Sequence, residues 1–227
     1  MVAYPQLNSS MTRSIDSSEI KDMNKIFRLN LINSVTGFKS ANLVGTTDKN
    51  GQDNLAVFSS VTHLGSNPAF VGLIVRPNVV PRHTYQNILE TGKYTINAIT
   101  NEMKARAHFT SAKFEKYQSE FDTCGFGREF SQDFLAPFVR ESPIKMALSL
   151  KDDILIKANS TRLIVGEVEK IIIDDSFLHS NGMLDLARMD IQTISGLNRY
   201  HNTDKGAIFP YARPTEIPEF NYHEAIV

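Results

Sequence analysis

Two short stretches carry more functional groups than a structural role needs. The first, Pro81-Arg82-His83-Thr84-Tyr85-Gln86-Asn87, sets a guanidinium, an imidazole and a hydroxyl at the start of a predicted helix. Free backbone N–H groups and the positive end of the helix dipole converge at such a start, and a guanidinium can grip a phosphate through two parallel hydrogen bonds. Plain capping by Thr84 with a solvated Arg82 accounts for the same residues, and the segment alone leaves both readings open. The second stretch, Asn54 through Thr62, reads as one strand that ends in Phe58-Ser59-Ser60-Val61-Thr62. Alternation would send Ser60 and Thr62 to one face and Ser59 and Val61 to the other. Serine is a poor strand former, so a pair of them points either to close backbone approach by a ligand or to a strand reaching solvent. Arg76 closes the following strand. If these strands are neighbours, hydroxyls and two guanidiniums could gather around one anion.

Other chemistries find no support. No Gly-x-Gly-x-x-Gly follows a strand, no phosphate loop of the Gly-x4-Gly-Lys-Ser/Thr kind is present, and no Gly-x-Ser-x-Gly elbow appears. The six histidines, at 63, 83, 108, 179, 201 and 223, never recur at metal-ligand spacing. The single cysteine, Cys124, excludes an internal disulfide and reads as a small thiol beside two glycines.

Positioning such groups takes a packed scaffold, and the composition provides one. The chain has 227 residues, 24 basic and 25 acidic, with 41% hydrophobic content and no tryptophan. A formal charge of −1 gives no general attraction to nucleic acid or anionic lipid, so neither is expected as a partner. No apolar run is long enough to span a bilayer and the polar start does not read as a secretory signal, so a cytoplasmic location is expected.

Asp16 and Glu19 read as the cap of a short helix through Asp22, and Phe27 to Val35 alternates as a half-buried strand would. Asn42–Thr47 and Asn54–Val61 form a hairpin around Asp48-Lys49-Asn50-Gly51, with Asn-Gly supplying the turn. Ala69–Val75 is the next strand. His83–Gly92 reads as a helix capped near His83 or Thr84 and stopped by Gly92, and Tyr94–Ile99 as a strand. Asn101–Phe109 and Lys113–Phe121 look helical, and Leu184–Met189 makes one helical turn or two. Ile144–Leu150, Ile154–Ile156 and Thr161–Ile173 return to β character as two or three core strands, with Ile171-Ile172-Ile173 fully apolar. The tail from Pro210 has no periodicity and is expected to lie across a surface. Strands with short inserted helices predict a mainly β fold, an antiparallel sheet curled into a barrel. The expected division is an arm at 1–24, one barrel domain at 25–205 and a tail at 206–227.

Taken in order, these segments resemble the flavin reductase-like family of FMN-binding split-barrel proteins. The residues that carry the likeness are Asn42–Thr47, Gly51–Ser60, Pro68–Leu73, Arg82–Ile88, Thr91–Asn97, Ser142–Lys145 and Gly166–Val168, closing with Asp185–Arg188 and Gly196–Tyr200. The resemblance implies a split β-barrel, a homodimer with FMN near the interface, and reduction of FMN by NADH or NADPH. It places Asn54, Val57, Ser59 and Ser60 along the isoalloxazine and phosphate; Thr62 and Arg76 join the expected cofactor-binding residues from their places at the strand ends, not from the resemblance. Arg82, His83 and Thr84 would meet the phosphate or ribityl chain, Tyr200 would lie close by, and His108 would contact the nicotinamide or the final acceptor. Ala147 stands where many members carry an acidic residue. Hydride transfer through a flavin needs no protein acid or base, so no catalytic residue is assigned. A flavin carrier or sensor without turnover is the alternative, because no nicotinamide motif stands out.

Overall fold

The computed structural model describes residues 12–218. Its elements, in chain order, begin with two helices, α1 (Ser17–Asp22) and α2 (Lys25–Ser34), followed by strands β1 (Lys39–Ser40), β2 (Asn42–Thr47), β3 (Asp53–Phe58), β4 (Val61–Ser66) and β5 (Ala69–Val75). Next come α3 (His83–Thr91), β6 (Lys93–Ala98), α4 (Lys104–Phe109) and α5 (Glu120–Thr123). The rest is β7 (Arg128–Ser131), β8 (Phe134–Val139), β9 (Ile144–Ile156), β10 (Thr161–Ile173), β11 (Gln192–Ser195) and β12 (Arg199–Asn202), with two short 3₁₀ turns at Asp175–Phe177 and Pro214–Glu216.

Seven strands form one antiparallel sheet in the order β3-β2-β6-β9-β10-β5-β4. Its two edges, β3 and β4, are separated in the chain only by Ser59 and Ser60. Phe58 and Val61 are therefore within about 10 Å of each other, the reach of three extended residues. The sheet must curl until its edges meet at that serine pair, and it stays open where they diverge. This is the expected antiparallel split barrel.

Residues alternate between two cores. Val44, Leu73, Val75, Tyr94, Ile96, Leu148 and Ile164 fill the barrel interior together with Tyr85 and Ile88 of α3, which plugs it. Leu43, Leu55, Ile99 and Ile194 face the other way and pack with Met103, Ala107 and Phe121 from the α4–α5 region. Every residue of β2 is buried because both of its faces are covered. A second layer, the β7–β8 hairpin, approaches β2 so closely that Gly45 has no room for a side chain against the Pro137 carbonyl.

The hairpin expected at Asn42–Thr47 pairs as read, Leu43 opposite Val57 and Thr47 opposite Asp53. Gly51 adopts the left-handed conformation (φ 84°), and the Asp48 carboxylate takes the N–H groups of Asn50 and Gln52 at 2.9 Å each. Gly92 (φ 68°) ends α3, its N–H bonded to the Ile88 carbonyl.

Several expectations are corrected. Phe27–Ser34 lies in helix α2 with Val35 at its C-cap, the helix start set by the Asn24 side chain accepting from Ile26 N–H at 2.9 Å. Its alternation was misleading because no residue of α2 is buried. The strand through Asn54–Thr62 stops at Phe58: Ser59 and Ser60 turn the chain from one barrel edge to the other, so Thr62 belongs to β4 and is exposed. Neither His83 nor Thr84 caps α3; Arg82 holds the cap position and no side chain makes the capping bond. Lys113–Phe121 is a loop with only the short α5 at its end. Ile144–Ile156 is one continuous strand, and Ile171 on its partner is exposed rather than core. The chain from Gly206 to Pro218 is exposed, and the rest of the expected tail lies outside the described residues.

Candidate functional site

The candidate residues converge on β3, from three directions. On its inner face, Asn54 donates through Nδ2 to Thr84 Oγ1 at 2.9 Å, with both side chains buried. Thr84 accepts in that bond and keeps its own hydroxyl proton free to donate. The first hydrogen bond of α3 runs from Gln86 N–H to the Arg82 carbonyl at 2.9 Å, so the N–H groups of His83, Thr84 and Tyr85 have no helical acceptor. Arg82 Nε is buried without a partner. Among the described residues neither Arg82 nor Arg76 pairs with a carboxylate. A buried guanidinium nitrogen beside unspent helix N–H groups is costly unless an acceptor joins it, and a phosphate is the acceptor that matches this donor set.

At the barrel seam, Ser60 Oγ donates to the Ile74 carbonyl at 2.8 Å, which places the Ser59-Ser60 turn beside the β5 end that leads to Arg76. Arg76 is exposed, and Thr62 pairs with Gly72 further down the β4–β5 ladder. Those two lie along the seam, not in the Asn54–Thr84 cluster.

On the outer face, Val57 and Tyr200 pack against the same core. The Tyr200 hydroxyl is buried without a partner, and burial pushes the phenol up to about 12. The ring of His108, on α4, stands edge-on to Tyr200 with centroids 6.0 Å apart and to Phe109 at 5.9 Å. Thus His108, placed by resemblance alone, does reach the Tyr200 side of β3.

Two groups went unread in the sequence. Asp153 accepts from Tyr85 Oη at 2.8 Å and from Arg162 Nε at 2.6 Å, which ties α3 to the β9–β10 pair. Burial opposes its ionisation, but the bonds to Arg162 and Tyr85 prevail and hold the carboxyl below its usual range. The other is Glu120, a buried carboxyl on α5 whose Oε2 accepts the Leu55 N–H at 2.9 Å. It caps an outward N–H of edge strand β3. A glutamate opening a short helix is so ordinary in sequence that only the fold could single it out. Burial pushes its pKa up, with the Leu55 bond opposing. Its folded pKa thus exceeds its unfolded one, so the stability present at low pH is lost as pH rises through the folded value. Glu120→Gln keeps an acceptor for Leu55 N–H and removes that ionisation. The variant should gain melting temperature over the wild type on going from pH 4 to pH 8; parallel curves across that range would remove the assignment.

Cys124 is half-buried, and burial together with the field of Glu120 raises its thiol pKa. It is a poor nucleophile at neutral pH, in keeping with a structural role.

A family model described as "Flavin reductase like domain" matches residues 35–189, more than half of the chain. The protein belongs to the flavin reductase-like family. That membership places it among flavin-related oxidoreductases. It is similar to a candidate flavin reductase with a split barrel domain from Shewanella frigidimarina NCIMB 400, at 42% identity and a TM-score of 0.85, over 88% of this chain and 100% of that one. Nitrilotriacetate monooxygenase component B from Bacillus cereus shares the fold at 17% identity and a TM-score of 0.78, again over 88% of this chain and all of the other. An uncharacterized protein of Aquifex aeolicus is 25% identical over 140 residues, 61% of this chain and 70% of its own length. Among the described residues of this flavin reductase-like protein, no helix is long and apolar enough to cross a membrane.

Proposed function

We propose that the protein is an FMN-dependent oxidoreductase that takes hydride equivalents from NADH or NADPH, works as a cytoplasmic homodimer with FMN near the interface, and consists of one barrel domain at 25–205 with an arm before it and a tail after it. The observation that carries the cofactor is the unspent donor set at the start of α3: Arg82 Nε, the Thr84 hydroxyl and the N–H groups of the first turn. Asn54 orients Thr84, and His83 extends the cluster toward the ribityl chain.

Strand β3 supplies the second part. Leu55 N–H points to the free edge, where Glu120 takes it, so the two-residue repeat aims the Val57 and Ser59 N–H groups to the same edge. These N–H groups would donate to the oxygen atoms of an isoalloxazine bound along that edge. Ser60 and Arg76 lie at the seam beyond them. Tyr200 and His108 wall the outer side, with His108 placed to meet the nicotinamide or the electron acceptor. FMN, when bound, supplies the centre that accepts a hydride and releases the electrons onward, which is why this chain needs no nucleophile or proton-transfer residue of its own.

The test is an absorbance spectrum of the protein after incubation with FMN, followed by anaerobic addition of NADH and of NADPH. Retention of a yellow chromophore that bleaches with either donor is expected. A colourless protein that takes up no FMN would overturn the reading, and a stable yellow colour would restrict it to FMN binding.

A further inference from the structure

We propose that the exposed apolar residues of helix α2 and the chain beyond β12 form a contact with a second copy of this protein, the segment at 206–217 of each copy lying on α2 of the other. The inference rests on the homodimer reading above and names the surface that makes it.

Helix α2 has ten residues and buries none of them. Ile26, Phe27 and Ile32 are exposed, Val35 is 67% exposed, and Phe38 just beyond is 68% exposed. A helix this short is marginal on its own in water, and its apolar residues imply a surface that covers them. Among the described residues, its side-chain ties to the sheet layers come from the Lys39 ammonium, which bonds the carbonyls of Asn33 at 2.9 Å and Gly196 at 3.2 Å.

The second half of the contact begins next to it. Phe38 packs edge-on against His201 of β12 at 4.8 Å, and three residues separate the end of that strand from the segment at 206–217. Ile208 and Phe209 are each 81% exposed, Tyr211 is 84% exposed, and Ile217 is exposed as well. Arg213 and Glu216 pair at 3.0 Å, so the strip carries no net charge at its centre. Pro210 and Pro214 prevent it from adding to a sheet edge as a continuous strand, and their fixed φ angles lower the entropy lost on docking.

Two neighbouring apolar sets in one chain leave each other uncovered, so neither satisfies the other in cis. Together these nine residues expose roughly 1,000 Å² of apolar-residue surface, compared with about 800 Å² per partner in a standard stable interface. A two-fold axis would bury both sets twice, each tail against the other copy's helix.

Sedimentation velocity at about 20 μM protein tests this (a concentration at which a standard interface is filled), with the wild type expected as a dimer. Phe209→Asp with Tyr211→Asp, and separately Ile26→Asp with Phe27→Asp, should each raise the dimer dissociation constant at least a hundred-fold while far-UV circular dichroism stays the same. In a Cys124→Ser background, Val35→Cys protein mixed with Phe209→Cys protein and a short bismaleimide should yield covalent dimers holding one chain of each. A wild-type dimer that resists both pairs of aspartates and yields no such mixed species overturns the contact and leaves the dimer reading standing. A wild-type monomer overturns both, without bearing on FMN uptake.

Discussion

Gly166→Ala is expected to cost about 3 kcal/mol of folding stability, the upper part of the range for forcing atoms into a filled core. In a chain of this size that lowers the melting temperature by roughly 6–12 °C. Gly166 sits on β10 opposite Leu150, at an irregularity where Val165 pairs with Asp152 and Lys151 is left over. A methyl group there would overlap the hydroxyl of Tyr94 and lie 2.8 Å from its Cζ and 3.1 Å from Leu148 Cδ2. Tyr94 is fully buried in the barrel, so its ring cannot swing into solvent. Its hydroxyl has no hydrogen-bond partner, and burial pushes its pKa up. Removing that oxygen forfeits no bond, so Tyr94→Phe alone should be neutral or stabilising by up to about 1 kcal/mol. Tyr94→Phe should also restore about 1–2 kcal/mol to Gly166→Ala, a coupling expected for side chains in contact. The rescue stays partial because Cζ and Leu148 remain. Urea denaturation of the four proteins of this cycle measures it, and additive effects would show that the clash is relieved elsewhere.

That site shows where sequence reasoning ends. Gly166 could be read as part of a family pattern, but the phenol that forbids a side chain there lies 72 residues away, with strand β9 between the two. Features whose cause is local were legible. Asn50-Gly51 marks a turn because Gly51 alone supplies the left-handed backbone, and Gly92 ends α3 for the same reason. Hydrophobic periodicity was legible where a face is buried. It failed at α2, which has none, and there the Asn24 cap decided the outcome. The serine pair was seen as unusual for a strand, correctly, but its role as the hinge of barrel closure follows only from β3 and β4 being opposite edges of the sheet. Among the candidate residues, Asn54 with Thr84 and Tyr200 with His108 prove to be neighbours. Thr62 and Arg76 lie apart along the seam, since a break at Phe58 shifts everything after it to another strand. Glu120 and Asp153 were invisible because a carboxylate's burial depends wholly on what packs around it.

Arg82→Ala should weaken FMN binding by about 1.5–3 kcal/mol, or roughly 10- to 150-fold, the range for a charge-assisted hydrogen bond. Arg82 holds the cap position of α3 with its Nε buried and unpartnered, and on the proposed reading its acceptor is the FMN phosphate. Folding stability should change little or rise, because the substitution deletes a desolvated donor without breaking a bond in the protein. That combination separates a ligand-binding arginine from a structural one, whose removal would lower both quantities. Riboflavin, which has the same ring and ribityl chain but no phosphate, supplies the control. If Arg82 grips the phosphate, the variant should bind riboflavin about as well as the wild type does, and the preference for FMN should shrink by the same factor as the FMN affinity. Fluorescence titration of both flavins against both proteins gives all four constants. An equal loss for riboflavin would move Arg82 to the ring or ribityl side, and an unchanged FMN affinity would remove it from the site.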